Sequence, residues 1–314
     1  MNSLIIGGAG FIGSHLCYAL INIGDNVICL DNCSNGNENN IKHLLGNTRF
    51  KFYKEDATDV KTLEKIFESE KIDFVFHLAA NSDIQASAAN PDVEYKNTYT
   101  TTFTILSIMR KYKVKRIFFA STSAVYGDKK DEILDENTPN LSPISYYGAA
   151  KLGSEALLSA FSYMNDMSAL VFRFPNVIGP RLTHGVIYDF IRKLKKCNNR
   201  LEILGDGRQT KPYIYVDDLI NAIIMFKDKL KKGVELYNVG VEGATSVTQI
   251  ANIVCSEMKL NDVKYEYTGG SGGWKGDVPK FQYSTIKIQS EGWCAKYTSD
   301  EAVKKTVHEV LSDL

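Results

Sequence analysis

The run Gly7-Gly8-Ala9-Gly10-Phe11-Ile12-Gly13 follows at once on an apolar segment, residues 4–6, and opens a stretch with helical periodicity at 14–23. No other feature constrains the fold as strongly, because a glycine turn wedged between a strand and a helix belongs to a small set of βαβ architectures. Each glycine has its own task. Gly7 allows the tight turn, Gly10 lets a ligand's phosphates approach the backbone, and Gly13 lets the helix lie against the sheet. The helix N-terminus adds unpaired N–H groups and partial positive charge. Tight packing alone also accounts for three glycines, so the turn needs support from elsewhere in the chain.

The first support is rhythm. Short apolar runs at 4–6, 27–30, 50–53, 74–77, 116–120 and 169–172 alternate with amphipathic stretches at 14–23, 61–69, 93–111 and 146–163. The apolar runs are rich in Val, Ile, Leu and Phe, as strands buried on both faces of a parallel sheet must be. The expected fold is α/β, a Rossmann-type doubly wound parallel sheet with a smaller C-terminal substrate-binding lobe. After Arg173-Phe174-Pro175 the rhythm loosens, and Gly179, Pro180, Gly185, Gly205 and Gly207 break the chain into loops around a helix at 188–196. Residues 1–174 are therefore expected to form the first domain and 175–314 mainly the lobe. Strand-like runs at 214–216 and 236–239 suggest that 212–242 rejoins the first domain. Thr298 with Glu301 is a capping box for a helix at 301–311, whose buried stripe is Ala302, Val303, Thr306, Val307 and Val310.

Charge and cysteine usage narrow the partners. Thirty-seven basic residues balance 37 acidic ones, so the chain lacks the footprint of a nucleic-acid or anionic-membrane binder, and a small-molecule partner is favoured. No apolar run approaches the roughly 20 residues of a membrane span. The first residues lack the flank and cleavage signal of an export peptide, so a cytoplasmic location is expected. Six cysteines, at 17, 29, 33, 197, 255 and 294, form no CxxC pair and no cluster with His. They are read as buried, reduced thiols, and no metal is expected.

Asp31 ends the second strand at the distance from the glycine turn where a carboxylate meets the ribose hydroxyls of a bound dinucleotide. Its neighbours Asn32, Cys33 and Ser34 include no arginine for a 2′-phosphate, which favours NAD over NADP. Asp56, after the third strand, either reaches the adenine or caps the next helix. Tyr147 and Lys151, four apart on a helix, share a face, and Thr122 follows the fifth strand at the sheet edge where α/β folds bind ligands. A phenol is a poor base at neutral pH. Lowering its pKa by about 3 units takes roughly 4 kcal/mol, which a lysine ammonium and a nicotinamide cation can supply together. Tyr147 then takes a proton from a carbinol as hydride leaves the same carbon, with Thr122 bonding the developing oxyanion.

Taken together, the chain resembles the extended short-chain dehydrogenase/reductase family, the NAD-dependent nucleotide-sugar epimerases and dehydratases. The resemblance spans nearly the whole chain. Besides the glycine run it is carried by His77-Leu78-Ala79-Ala80, Ser121-Thr122-Ser123-Ala124-Val125-Tyr126-Gly127, Tyr147-Gly148-Ala149-Ala150-Lys151, Arg173-Phe174-Pro175-Asn176-Val177-Ile178-Gly179-Pro180-Arg181 and Tyr213-Ile214-Tyr215-Val216-Asp217-Asp218. It implies a tightly bound NAD, held on the turn by Gly7, Gly10, Phe11, Ile12 and Gly13. Around it the resemblance places Asp31, Asn32, Asp56, Ala57, Leu78, Ala79, Ala80 and Asn97, with Tyr147, Lys151 and Pro175 at the nicotinamide end. Thr122, Tyr147 and Lys151 become the catalytic set. Substrate contacts fall to Thr122, Ser123, Asn176, Arg181, Lys211 and Lys275. Lys211 stands where similar chains carry arginine, and Trp274 replaces another arginine, leaving Lys275 as substitute; lysine lacks the bidentate fork. Arg181 and His184 either contact substrate or are solvated loop charges.

The implied reaction is oxidation at C4 of a nucleotide-diphosphate sugar. If hydride returns to the other face of the 4-keto sugar, the enzyme is a 4-epimerase. If the ketone leaves, it is a 4-dehydrogenase needing an acceptor such as a 2-oxo acid. UDP-hexoses and GDP-hexoses or heptoses, GDP-manno-heptose included, stay open, with a role in polysaccharide biosynthesis. Similar dehydratases carry an Asp-Glu pair where this chain has Ser123 and Ala124, and decarboxylases a glutamate at Ala124, so both are alternatives lacking an acidic partner. An idle NAD-binding regulator is the alternative from another class, and the intact Thr122, Tyr147 and Lys151 argue against it. Similar enzymes form homodimers through two long helices, here 93–111 and 146–163.

Overall fold

The computed structural model describes residues 1–81, 87–130, 132–270, 272–273 and 276–313. The apolar runs become strands β1 (Asn2–Ile6), β2 (Asn26–Leu30), β3 (Phe50–Tyr53), β4 (Phe74–His77), β5 (Arg116–Thr122), β6 (Ser168–Phe174) and β7 (Gly233–Asn238). They form one sheet in the order β7-β6-β5-β4-β1-β2-β3. β1 pairs in parallel with both β2 and β4, β2 with β3, and β4 with β5. The chain steps outward from β1 on one side and from β4 on the other, so the carboxyl ends of β1 and β4 flank the switch point where such a sheet opens a crevice.

Helices α1 (Phe11–Asn22), α2 (Val60–Ser69), α3 (Thr101–Lys111) and α4 (Tyr146–Asn165) connect these strands. One continuous core holds Leu4, Ile6, Val75, Ile117 and Val171 from the strands and Leu63, Ile105 and Leu158 from the helices. Each such buried side chain contributes about 1.5–3 kcal/mol of transfer free energy. The chain forms two compact units. The first comprises Met1–Val125, Ser145–Arg173 and Ile220–Tyr237, and the second Tyr126–Ile144, Phe174–Leu219 and Asn238–Leu314.

Within the second unit, short strand pairs join Asn176–Ile178 to Tyr213–Tyr215 and Arg200–Ile203 to Lys264–Tyr267. Its helix Ser299–Asp313 carries the expected box. The Thr298 amide and hydroxyl each donate to Glu301 Oε2 at 2.9 Å, and Ala302, Val303, Thr306, Val307 and Val310 are buried.

Four expectations need correction. The stretch 93–111 is not one uniform helix: a turn at Asp92–Glu94 leads into a π-helical segment, Tyr95–Thr100, before α3. Threonine hydroxyls compete for main-chain carbonyls there, Thr101 Oγ1 donating to Lys96 O at 3.0 Å and Thr102 Oγ1 to Thr98 O at 2.7 Å. The strand expected at 214–216 joins Asn176–Ile178 rather than the main sheet, and Val216 already begins a helix. Thr122 does not follow β5 but ends it. The six thiols are all free, yet only Cys17, Cys29 and Cys255 are buried; Cys33 and Cys197 are partly exposed and Cys294 is exposed. Among the described residues no helix is long and apolar enough to cross a membrane, and no three His, Cys, Asp or Glu side chains gather as a metal site.

Candidate active site

The glycine turn leaves β1 at the switch point. Gly7 adopts φ +86°, and a β-carbon there would lie 2.7 Å from the Ala79 amide nitrogen. Leu78 and Ala79 both donate to Ile6 O at 2.9 Å, so the 78–80 segment runs beside the turn. Gly13 packs more tightly still, since its β-carbon would stand 2.0 Å from Gly7 O. Gly10 differs. A β-carbon there meets only Gly7 O, at 3.2 Å, and Gly10 is the N-cap of α1 with no side-chain cap bond. Bare backbone at a helix N-terminus with open space before it fits a pyrophosphate.

Asp31 ends its segment almost wholly buried. Its carboxylate accepts from Ala9 N at 2.9 Å and Cys33 N at 2.8 Å, tying the glycine turn to the end of β2. Burial raises its pKa against the bonds from the Cys33, Ala9 and Gly10 amides. Each oxygen keeps a lone pair for a ribose hydroxyl. Asp56 is not the cap of α2. That position belongs to Asp59, which accepts from Lys61 N at 3.0 Å. Asp56 instead closes a turn on Thr58 N and Oγ1, both 2.7 Å, and accepts from Asn32 Nδ2 at 3.2 Å. Burial raises its pKa, but these bonds outweigh it and the net direction is down. Phe11, Ile12 and Ala80 are partly exposed beside the turn, and Ala57 and Ala79 pack against the core. Asn97 is exposed on the π-helical segment while its neighbour Thr98 turns inward.

Thr122, Tyr147 and Lys151 do come together within the first unit. The Ser145 hydroxyl caps α4 by accepting from Gly148 N at 3.1 Å, which fixes the first turn that presents Tyr147. Tyr147 hydrogen-bonds Thr122, whose hydroxyl also accepts from Ala124 N at 3.2 Å. Lys151 is buried one turn on. Its ammonium donates to Ala120 O at 2.6 Å and stands 4.7 Å from the Phe119 ring centroid and 5.8 Å from that of Tyr147. Burial lowers Lys151 to about 8, against the opposing charges of Glu94 and Glu155. The phenol moves the other way from the sequence expectation. Burial and then the Glu94 charge raise Tyr147, and the Thr122 bond only partly offsets them.

Two carboxylates escaped the sequence reading. Glu94 is buried, with Oε1 accepting from Asn81 Nδ2 and Oε2 from Thr98 Oγ1, each at 2.8 Å. Glu155 grips Arg173 at 3.0 Å (Nε) and 2.6 Å (Nη2) and accepts from Ser121 Oγ. A Glu94–Thr98 pair at helical i, i+4 spacing is the one sequence trace of the first. His77 is a packed core residue: Nε2 bonds Thr102 Oγ1 at 2.9 Å, and burial lowers its pKa to about 3.

In the second unit, Asn176 hydrogen-bonds the buried Tyr213, Pro175 is buried, and Arg181 adopts φ +70° in its loop. Lys211, expected to face a diphosphate, is already ion-paired with Asp277. Lys275, like Trp274, lies outside the described residues. Ser123, in the first unit, opens a single 3₁₀ turn, Ser123–Tyr126.

Residues 3–240 match the model of the NAD dependent epimerase/dehydratase family. The chain belongs to that family. A Methanocaldococcus jannaschii protein provisionally named a UDP-glucose 4-epimerase is 33% identical over 311 residues, 97% of each chain. Among solved structures, a Thermotoga maritima UDP-glucose 4-epimerase with UDP-glucose superposes with a TM-score of 0.88 at 32% identity, covering 98% of both chains. A Thermus thermophilus UDP-glucose 4-epimerase in complex with NAD does so at 0.88 and 27% identity, covering 100% of both. The chain is thus an enzyme of the NAD-dependent epimerase/dehydratase type that acts on nucleotide sugars, with NAD as its cofactor.

Proposed function

We propose that the protein is a UDP-hexose 4-epimerase. The observation that carries the reading is the hydrogen bond between Tyr147 and Thr122, with the Lys151 ammonium one turn along the same helix. Ala124 lies where an eliminating or decarboxylating enzyme needs an acid, which favours simple oxidation and reduction at C4. The 4-epimerase relatives support the same choice.

The cofactor's pyrophosphate would rest on Gly7, Gly10 and Gly13, its ribose on Asp31, and its nicotinamide end near Tyr147 and Lys151. Bound NAD supplies a positive ring and a reversible store for hydride at the sugar carbon. Tyr147 takes the C4 hydroxyl proton, Thr122 holds the phenol and the alcohol oxygen in line, and Lys151 offsets the phenolate charge. After the keto sugar turns its other face, Tyr147 returns the proton. Asn176, Arg181 and Lys211 are the proposed contacts of the nucleotide and sugar. We also infer a homodimer through α3 and α4, discussed below.

The test is to incubate purified protein with UDP-glucose, UDP-galactose and their N-acetyl forms, without a hydride acceptor, and to follow the sugars by proton NMR. A C4 epimer of one of them should appear, and Tyr147→Phe should lower its rate by at least about 100-fold. Failure to convert any of them, or accumulation of a ketone only when a 2-oxo acid is added, would overturn the epimerase reading.

A further inference from the structure

Glu94 has no place in the reaction as described, yet it is buried on a turn that packs against the helix of the catalytic pair. The turn Asp92–Glu94 and the π-helical segment Tyr95–Thr100 both pack on α4, the helix that carries Tyr147 and Lys151. The fit is close enough that a β-carbon on Gly153 would lie 3.0 Å from the Tyr99 ring. Asn81 and Thr98 each hold one of the two carboxylate oxygens. The Asn81 amide nitrogen can only donate, which suits a charged carboxylate. A buried charge held this firmly, with both hydrogen bonds made by neutral partners, has its field left over for its neighbours.

We propose that Glu94 is a positioning residue that fixes the protonation of the Tyr147–Lys151 pair, its buried charge favouring the ammonium form of Lys151 and the neutral phenol form of Tyr147. The inference rests on the catalytic reading of Tyr147 and Lys151 given above. Among the described residues, the charged and titratable groups facing the pair are Glu94 from its turn, Glu155 from α4 and His77 from β4, with the Thr122 hydroxyl reaching in from β5. Burial drives Lys151 toward the neutral amine, and among the described residues the Glu94 and Glu155 charges oppose it. Glu155 is already neutralised by its two bonds to Arg173, which leaves Glu94, among the described residues, as the carboxylate without a cationic partner of its own. On Tyr147 the same charge acts in the same direction, raising the pKa. Removing it moves both groups down together.

Lysines labelled with ¹³C at Cε, observed by NMR in the protein as purified, report the titration directly, and Lys151→Met identifies the signal. The Lys151 midpoint should lie near pH 8 and fall by about 1 pH unit in Glu94→Gln. Glu94→Asp, which keeps the charge one methylene further back, should fall in between. Thr98→Val, which removes a clamp but no charge, should shift it less than Glu94→Gln. An unchanged midpoint in Glu94→Gln overturns the proposal, and if that variant does not fold, an unchanged midpoint in Glu94→Asp does so. Where turnover is measurable, both limbs of the kcat/KM pH profile should move to lower pH in Glu94→Gln; a merely structural Glu94 lowers activity at every pH and leaves the limbs in place. The NMR titration uses no substrate, so absence of epimerase activity removes the proposed function without deciding this result.

Discussion

Single residues in this chain separate a fold requirement from a ligand requirement. A methyl group on Gly13 would stand 2.0 Å from the Gly7 carbonyl oxygen, a contact only backbone movement can relieve. Gly13→Ala should therefore destabilise by about 3 kcal/mol, seen as a lower urea midpoint. Gly10→Ala meets one atom at 3.2 Å and should fold within about 1 kcal/mol of the parent, yet lose NAD on gel filtration because the methyl occupies the approach to the helix N-terminus. Equal loss of stability in the two variants would contradict this division. His77 gives a pH prediction of definite sign. Its folded pKa of about 3 lies below the reference 6.5, so between those values the unfolded chain binds a proton that the native state refuses. Stability must fall with pH across that window by about 1.4 kcal/mol per unit from this residue. Between pH 6 and 4.5 the wild type should lose about 2 kcal/mol more than His77→Gln in denaturant titrations. The glycines were legible because a turn between a strand and a helix leaves few residue choices. The direction of the Tyr147 shift was not, since sequence spacing revealed Lys151 on the helix but neither the burial of the phenol nor the carboxylate folded over from residue 94.

At the level of elements, what the sequence displays best is whatever is buried on both faces. Runs such as Phe74–His77 have one reading, and the structure reproduces that strand residue for residue. The π-helical segment shows the opposite case. Its amphipathic pattern reads as plain helix, and only the hydroxyls of Thr101 and Thr102 reaching back to main-chain carbonyls reveal the wider turn. The ion pair of Lys211 with Asp277 was likewise invisible, because 66 residues separate the partners. Glu155 makes a testable link between elements. From α4 it holds Ser121 on β5 and Arg173 on β6, with side chains 11% and 4% exposed for the glutamate and the arginine. Breaking such a buried pair from one side takes the carboxylate away from a buried guanidinium, so Glu155→Ala should cost about 3 kcal/mol. Glu155→Gln, which keeps an acceptor, should cost less.

At the scale of the whole molecule, one surface calls for a partner. On α4 the exposed positions Ala149, Ala156, Ala160 and Tyr163 follow one another at spacings of seven, four and three, a stripe of small and aromatic residues along one helix face. Tyr163 is 87% and Met164 76% exposed, and on the neighbouring α3 and the segment before it Phe103 and Tyr95 are 49% and 65% exposed. Phe103 and Phe161 meet edge to face at 6.0 Å, so the two helices present one continuous apolar surface rather than scattered side chains. Alanines let a second helix pair approach closely, and a twofold axis makes the same patch serve both subunits. The expected state is therefore a dimer at micromolar concentration in sedimentation equilibrium. Placing a charge at the centre of the patch on both subunits at once, as Phe103→Glu and Ala156→Glu each do, should shift that equilibrium toward monomer by at least about tenfold per substitution. Neither position lies in the core, so the monomer should keep its circular dichroism spectrum. A wild-type monomer across the concentration range, or dimers indifferent to both glutamates, would place any self-association on another surface.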